Sequence, residues 1–196
     1  MRLSAAFLLA LLSGPALGQP AETARIVGMI ERVDGPTLTI GQRQGGDATV
    51  TLSDKVQVFG VMKAGIDDIK PGTFIGVGAT PQGDGSQLAI QVTIFAESQR
   101  GLGEGHRPWN RPNTTMTNAT VESMVTGVSG REVRVTYKGG EQRIIIPPDA
   151  IILAYAPGDR SELKPGAHVA INNAAKRPDG SFEAARVNVG RDVVPQ

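Results

Sequence analysis

An internal duplication constrains this chain more than any other feature of its sequence. The stretch IDDIKPGTFIGVGATPQGDGSQLAIQVTI returns as RSELKPGAHVAINNAAKRPDGSFEAARVNV. Both copies place the same turns at the same points, Lys70-Pro71-Gly72 and Asp84-Gly85 in the first, Lys164-Pro165-Gly166 and Asp179-Gly180 in the second. Shared turn chemistry and a shared apolar phase predict two copies of one structural unit, over residues 24–96 and 119–192.

Each copy has the pattern of antiparallel β-strands. The match continues upstream at one constant spacing, which places Ile26, Ile30, Val33 and Gly35 opposite Val121, Val125, Val128 and Gly130. Apolar residues alternate with polar or small ones, as at Ile75 and Val77, and this period of two predicts half-buried strands. Because short strands hide their edges by closing on themselves, we expect an all-β chain of two tandem small antiparallel barrels, similar to the oligonucleotide/oligosaccharide-binding (OB) type.

The repeated pattern also resembles a bacterial family of secreted domains of unknown function. The resemblance lies in Val/Ile-x-Gly-x-Ile, then Val-x-Gly, then Lys-Pro-Gly, then Asp-Gly-x-x-x-Ala-x-x-Val. In the first copy it is carried by Ile26, Gly28, Ile30, Val33, Gly35, Lys70-Pro71-Gly72, Asp84-Gly85, Ala89 and Val92, while Ser123 replaces the early glycine in the second copy. The resemblance implies OB-like barrels and no particular chemistry. Some relatives are labelled metal-transporter permeases, a label that does not suit a chain without a long apolar segment.

The N-terminal residues predict export. Arg2 precedes an apolar run from Ala5 to Leu12, and small residues end the segment before Gln19. This order is typical of a secretory signal peptide, here residues 1–18, and the run is too short to remain as a membrane anchor. We therefore expect a soluble periplasmic or secreted protein that is not integral to a membrane.

Charge and cysteine content exclude several kinds of protein. Loss of Arg2 with the signal peptide leaves equal numbers of basic and acidic residues, which predicts no nucleic-acid partner. The chain has no cysteine, so disulfides, thiolate metal sites and thiol nucleophiles are excluded. The only histidines are His106 and His168, and neither lies in a hydrolase motif. We expect a protein that is not an enzyme and needs no cofactor.

The segment between the copies, residues 97–118, holds the most distinctive candidate site. It is rich in glycine and proline but contains the only tryptophan, Trp109, together with His106, Arg107 and Arg111. An indole has a large apolar area and a donor that seeks a partner, so a linker that contains one is expected to be docked. Trp109 then either packs between the barrels or forms, with its flanking residues, a recognition element for a ligand or partner.

Two further candidate sites involve residues of the barrels. Phe74 and His168 occupy the same outward position in the two copies, which suggests an exposed ring at a binding surface of each barrel. The alternative is a metal site, in which Glu104 and His106 supply two ligands and His168 a third if the linker folds back. On balance the sequence predicts a binding or assembly module for an envelope protein or cell-envelope ligand, with a periplasmic metal-handling protein as the alternative.

Overall fold

β-strands make up the regular structure, apart from three single 3₁₀ turns at Ile66–Asp68, Glu97–Gln99 and Arg160–Glu162. The computed structural model describes residues 22–109, 111–127 and 130–195, so the predicted signal peptide lies outside the described residues. The first half of the chain forms β1 (Thr23–Asp34), β2 (Thr37–Gln42), β3 (Asp47–Lys63), β4 (Phe74–Pro81) and β5 (Gln87–Ile94). The remainder forms β6 (Gly105–Pro108), β7 (Thr115–Gly127), β8 (Gly130–Tyr137), β9 (Gly140–Ile146), β10 (Ile151–Pro157), β11 (His168–Lys176) and β12 (Phe182–Gly190). The predicted all-β class is confirmed.

The repeated Asp-Gly turns form the two matching hairpins. Gly85 and Gly180 have φ angles of 81° and 84°, a region that only glycine adopts without strain. In the first turn, Asp84 Oδ1 accepts hydrogen bonds from the main-chain N–H and the hydroxyl of Ser86. Asp179 and Ser181 repeat this arrangement in the second turn. The Asp-Gly-Ser sequence therefore shapes the hairpins β4–β5 and β11–β12 in the same way.

A closed five-stranded barrel contains strands from both ends of the chain. Its strands follow the order β1-β2-β3-β12-β11 and return to β1. Neighbouring strands are antiparallel except β3 and β12, which run parallel. Its interior is filled by aliphatic side chains, among them Ile26, Ile30, Leu38, Ile40, Val50, Val169, Ile171, Val187 and Val189. We refer to this unit as the first barrel.

Five of the remaining strands form the second barrel. Its order is β7-β8-β9-β5-β4, which returns to β7, and only β9 and β5 are parallel. The β5–β9 pairing is short and joins Gln87 to Ile144 and Leu88 to Ile145. The interior contains Ile69, Ile75, Val77, Val92, Val121, Val133, Val135, Ile144 and Ile146.

The two copies have exchanged their hairpins, which differs from the predicted division at residues 24–96 and 119–192. Each barrel consists of the first three strands of one copy and the β-hairpin of the other. The reason is that both copies present the same turns and the same apolar phase. A hairpin from either copy therefore matches the open edges of either set of three strands. The local sequence pattern does not determine which copy supplies the hairpin of each barrel.

Reciprocal hydrogen bonds hold the exchanged hairpins in place. The Gly72 N–H donates to the carbonyl of Val121 on β7, and the Gly166 N–H donates to the carbonyl of Ile30 on β1. Both distances are 2.8 Å, and both glycines have a φ angle of 87°. Each Lys-Pro-Gly turn is thus bonded to the first strand of the opposite copy.

These bonds also correct the alignment predicted for β1 and β7. Ile30 and Val121 each precede a β-bulge and are therefore equivalent. The prediction that Ile30 matches Val125 is wrong, and Val125 is 60% exposed rather than buried. The β7–β8 hairpin extends further beyond its bulge than the β1–β2 hairpin does, because Val121 pairs with Val135 whereas Ile30 pairs with Ile40, and this is why a constant spacing fails here.

The long strand β3 connects the barrels. After its barrel residues it continues to Lys63, and its last residues pair with β10, which also pairs with β5 of the second barrel. The second copy is interrupted at the corresponding point by Pro147 and Pro148, between β9 and β10. Proline lacks the N–H that a continuous ladder needs, so the second copy has two strands where the first has one.

Gly180→Val tests the exchange. Valine is strained at positive φ, so the substitution should destabilise the β11–β12 hairpin by roughly 1 kcal/mol or more. Since that hairpin completes the first barrel, native-state hydrogen exchange should accelerate in β1, β2 and β3 more than in β7, β8 and β9.

The matched variant Gly85→Val in the other hairpin should give the mirror-image result, with faster exchange in β7, β8 and β9. Acceleration confined to the strands of the mutated copy would contradict the exchanged arrangement.

A pH titration tests the closure of the second barrel. Hydrogen bonds from Ser86 and Arg143 lower the pKa of Asp84 from 3.8 to about 2. Arg143 lies on β9, so this pair joins the exchanged hairpin to the strand where the pairing is shortest. A folded-state pKa below the unfolded value stabilises the fold above pH 3.8, and this contribution is lost as the pH falls towards 2. Asp84→Asn should therefore lower the Tm at neutral pH, and the difference from wild type should shrink over that range. A difference that is constant with pH would contradict the ionic role.

Candidate functional site

A large cleft lies between the two barrels, with a volume of about 980 Å³. One wall is formed by β1, β3, β11 and β12 of the first barrel, and the other by β5, β7 and the linker that packs on the second barrel. A volume of this size is at the upper end of the range for ligand sites, about 300–1,000 Å³. The exchanged hairpins therefore create a site to which both ends of the chain contribute.

Arginine is the only charged residue type in the cleft wall. The arginines come from the first barrel and from the linker: Arg25, Arg43, Arg107, Arg111 and Arg186. No Asp or Glu is among the described residues that line the cleft, and none of these arginines pairs with a carboxylate within the described part of the chain. Elsewhere arginines do form ion pairs, namely Arg100, Arg131, Arg134, Arg143, Arg177 and Arg191. The cleft consequently concentrates positive charge on a chain of almost balanced composition.

Neutral groups orient two of these guanidinium groups. Arg25 Nε donates to Asn172 Oδ1 at 3.1 Å, and an Nη of Arg186 donates to Gln57 Oε1 at 3.1 Å. The Arg186 guanidinium also lies over the ring of Phe59, 5.6 Å from its centroid. Amide and aromatic partners hold the side chains in place without neutralising their charge.

Aromatic rings continue from the second barrel into the cleft. Phe74 packs against Phe95, and Phe95 meets Tyr155 edge-to-face, with centroids 5.8 Å apart. Burial raises the pKa of Tyr155, while the nearby charges of Arg25 and Arg186 act in the opposite direction. The Tyr155 hydroxyl therefore stays protonated at neutral pH, beside two cations.

Amide side chains supply most of the remaining polar surface. The first barrel contributes Gln42, Gln44, Gln57, Asn172, Asn173 and Asn188, and the other wall contributes Gln91, Gln99 and Asn118. A primary amide has two N–H donors and a carbonyl acceptor, so it can bind hydroxyl groups as well as anions.

Buried polar atoms without partners all belong to residues of this cleft. In the described part of the chain they are Gln99 Nε2, Asn118 Oδ1, Asn188 Oδ1 and Arg186 Nε. The three amide residues are only 2%, 5% and 3% exposed, respectively. An unpaired buried polar atom costs about 1–3 kcal/mol, and such atoms are rare in folded proteins. Their concentration in one place distinguishes the cleft walls from the rest of the described structure.

Three linker residues, Arg107, Trp109 and Arg111, line the cleft. β6 pairs with β7, which turns Arg107 and Trp109 towards the cleft and His106 away from it. Trp109 is half-buried, and its indole lies so close to Gly78 of β4 that a side chain there would overlap it. Arg111 lies 5.5 Å from the centre of the indole ring. The indole is thus docked on the second barrel and contributes to the wall of the cleft.

Other predicted site residues lie elsewhere. His106 Nδ1 is 2.8 Å from the hydroxyl oxygen of Thr117, and burial lowers its pKa. His168 is exposed on β11, and Phe74 is buried rather than exposed, because Phe95 covers it. Neither histidine lines the cleft.

The ligands considered for a metal site do not come together. Glu104 accepts a hydrogen bond from the Lys138 main-chain N–H. Among the residues that the structure describes, no group of three His, Asp or Glu side chains could hold a metal ion. Glu104, His106 and His168 therefore do not form a metal centre in this arrangement.

Sequence reasoning missed the residues of the first barrel that line the cleft. Arg25, Gln57, Asn172 and Arg186 are outward positions of their strands, where polar residues are ordinary. The only available signal was that Arg, Asn and Gln, rather than Lys and Glu, occupy these positions. That signal has meaning only once the strands are known to face one cleft.

Comparisons with known proteins add no relative. No family model, no curated protein and no solved structure matches the chain. Over residues 22–109, 111–127 and 130–195, no helix has the length and apolar character needed to cross a membrane.

Gly78→Ala tests the position of the tryptophan. The new methyl group would overlap the indole ring, so Trp109 should leave its place and its emission should shift to longer wavelength. Gly83→Ala is the matched control, because a methyl group there has open space around it. Since the chain has one tryptophan, emission reports this residue alone. Equal spectra for the two variants would show that Trp109 does not lie on Gly78.

Proposed function

We propose that this chain is a non-enzymatic binding module of the cell envelope and that it binds an anionic ligand in the cleft between its barrels. The observation that carries this proposal is the group of five arginines that line one cleft without any carboxylate among the described lining residues. Neutral partners hold two of these guanidinium groups, Arg25 through Asn172 and Arg186 through Gln57, so their charge is available to a ligand.

The arrangement suits an anion for electrostatic reasons. Guanidinium groups bind carboxylates, phosphates and sulfates through paired N–H donors, and they remain charged at any physiological pH. Concave walls raise the local potential, because like charges there are only partly screened by solvent. Ion pairs with the chain's own acids would remove this potential, and the cleft arginines form none among the described residues.

Binding fits the lining residues better than catalysis does. The described lining contains no His, Asp, Glu, Ser or Lys, the residue types that usually serve as general bases or nucleophiles. The only group in the lining with a raised pKa is Tyr155, whose hydroxyl is a hydrogen-bond donor at neutral pH. These residue types can orient and hold a ligand.

The proposed location and fold type rest on sequence and topology. Residues 1–18 have the order of a signal peptide, which supports a periplasmic or secreted location. In each barrel the hairpin inserts between the first and third strands, with its last strand parallel to the third. This order supports the proposal that the barrels are OB-like, a type that often binds oligomeric ligands.

The test is a thermal-shift titration with citrate, a small trivalent anion. A ligand that binds only the folded state raises the Tm with increasing concentration. We expect this rise in the wild type and its loss in the double variant Arg25→Gln/Arg186→Gln.

Arg32→Gln/Arg134→Gln is the matched control, since it removes the same charge from positions outside the cleft. The control should keep the rise. Equal responses of both double variants would show that any stabilisation comes from overall charge, and the proposed site would be rejected.

A further inference from the structure

We infer that the ligand of the cleft is an acidic oligosaccharide, that is, a sugar chain that carries carboxylate groups beside free hydroxyls. This inference rests on the proposed function, because it names the ligand class of the same site. It follows from the polar groups that the cleft offers in addition to its charge.

A simple anion matches only the donor groups in the walls and leaves the acceptors without partners. Carboxylate, phosphate and sulfate oxygens accept hydrogen bonds, so they satisfy guanidinium groups and amide N–H groups. Amide carbonyl oxygens need donors, which these anions lack. A ligand for this cleft therefore needs donors as well as negative charge.

The unpaired buried atoms include both kinds. Gln99 Oε1 accepts from the Ala96 N–H, which leaves Gln99 Nε2 as an unpaired donor. Asn118 Nδ2 donates to the carbonyl of Leu102, which leaves Asn118 Oδ1 as an unpaired acceptor. The hydrogen bonds to Ala96 and Leu102 establish which atom of each amide is oxygen and which is nitrogen. The cleft wall therefore contains one donor and one acceptor without a hydrogen-bond partner. These two atoms lie beneath the surface of the wall, and the exposed amides of the cleft present the same pair of groups, a donor and an acceptor, to a ligand. A hydroxyl group, which donates and accepts, is the chemical group that binds both.

The exposed amides of the cleft likewise require a ligand that has both hydrogen-bond donors and acceptors. Gln44 and Asn173 are exposed in the first-barrel wall, and Gln91 is half-buried in the other. Each presents donors and an acceptor within reach of a ligand. With a volume of about 980 Å³, the cleft has room for several linked sugar rings rather than one small anion.

The aromatic groups favour sugar over single-stranded nucleic acid. Nucleic-acid binders of this fold type stack bases on several open aromatic faces. Here Phe95 and Tyr155 pack against each other, and Trp109 lies on Gly78 with Arg111 beside its ring. The rings offer partial apolar surface, which suits the C–H edges of sugars better than intercalated bases.

The test compares four probes by isothermal titration calorimetry on the full mature chain. They are an oligogalacturonate, a neutral maltooligosaccharide with the same number of rings, a linear polyphosphate of equal charge, and an oligothymidylate of equal charge. We expect the oligogalacturonate to bind at least about tenfold more tightly than each of the others.

Two pairs of variants separate the charge from the hydroxyl recognition. Arg25→Gln/Arg186→Gln should lose binding of every charged probe. Gln44→Ala/Asn173→Ala should weaken the oligogalacturonate more than polyphosphate, because polyphosphate loses only amide donors whereas the sugar loses amide donors and acceptors. Gln82→Ala/Gln142→Ala, which removes two amides outside the cleft, should behave as wild type.

The outcomes distinguish this inference from the proposed function. If polyphosphate or oligothymidylate binds as tightly as oligogalacturonate and the arginine variant loses it, the acidic-sugar class is overturned and an anion-binding cleft stands. If the amide variants do not change the preference, the hydroxyl argument is likewise overturned. If no charged probe depends on Arg25 and Arg186, or the neutral sugar binds equally well, both the inference and the proposed function fail.

Discussion

The exchange of hairpins between the two copies is the constraint on which the rest of this structure depends. Three strands of either copy leave two unpaired edges and an open apolar face, and only the hairpin of the opposite copy covers them. The Lys-Pro-Gly turns are bonded to Val121 and Ile30 in the same way on both sides, so the exchange is reciprocal. Neither barrel is complete without both halves of the chain.

The candidate site is a direct consequence of this exchange. Arg25 lies near the start of the described chain and Arg186 near its end, but both act on Tyr155 in one cleft. The linker adds Arg107 and Arg111 from the opposite wall. Overall charge balance therefore gives a misleading impression, because paired arginines are distributed over the surface while unpaired ones face each other. Net charge describes the chain, whereas recognition depends on where the charges lie.

Prediction from sequence succeeded where a few neighbouring residues decide the outcome. The hairpin at Asp84-Gly85 follows from a carboxylate that accepts hydrogen bonds from the N–H and the hydroxyl of Ser86, and from a glycine that tolerates positive φ. The docked Trp109 follows from the cost of leaving an indole in solvent. The match of Ile30 with Val125 failed because the β7–β8 hairpin extends further beyond its bulge than the β1–β2 hairpin does, and Phe74 is buried because Phe95 folds over it. Both failures depend on contacts that the strand period does not describe.

The sequence by itself determined the all-β class, the repeated turns and the phase of the apolar faces, because these are local properties of the backbone and of alternating side chains. Only the tertiary structure decided which copy supplies each hairpin, since two equivalent hairpins satisfy the same local pattern. The unbroken run of β3 to Lys63 and the interruption at Pro147 and Pro148 distinguish the copies over a longer range. That choice brought Arg, Asn and Gln from distant strands into one cleft. There the described lining contains no carboxylate beside the arginines, and several buried side-chain atoms have no hydrogen-bond partner.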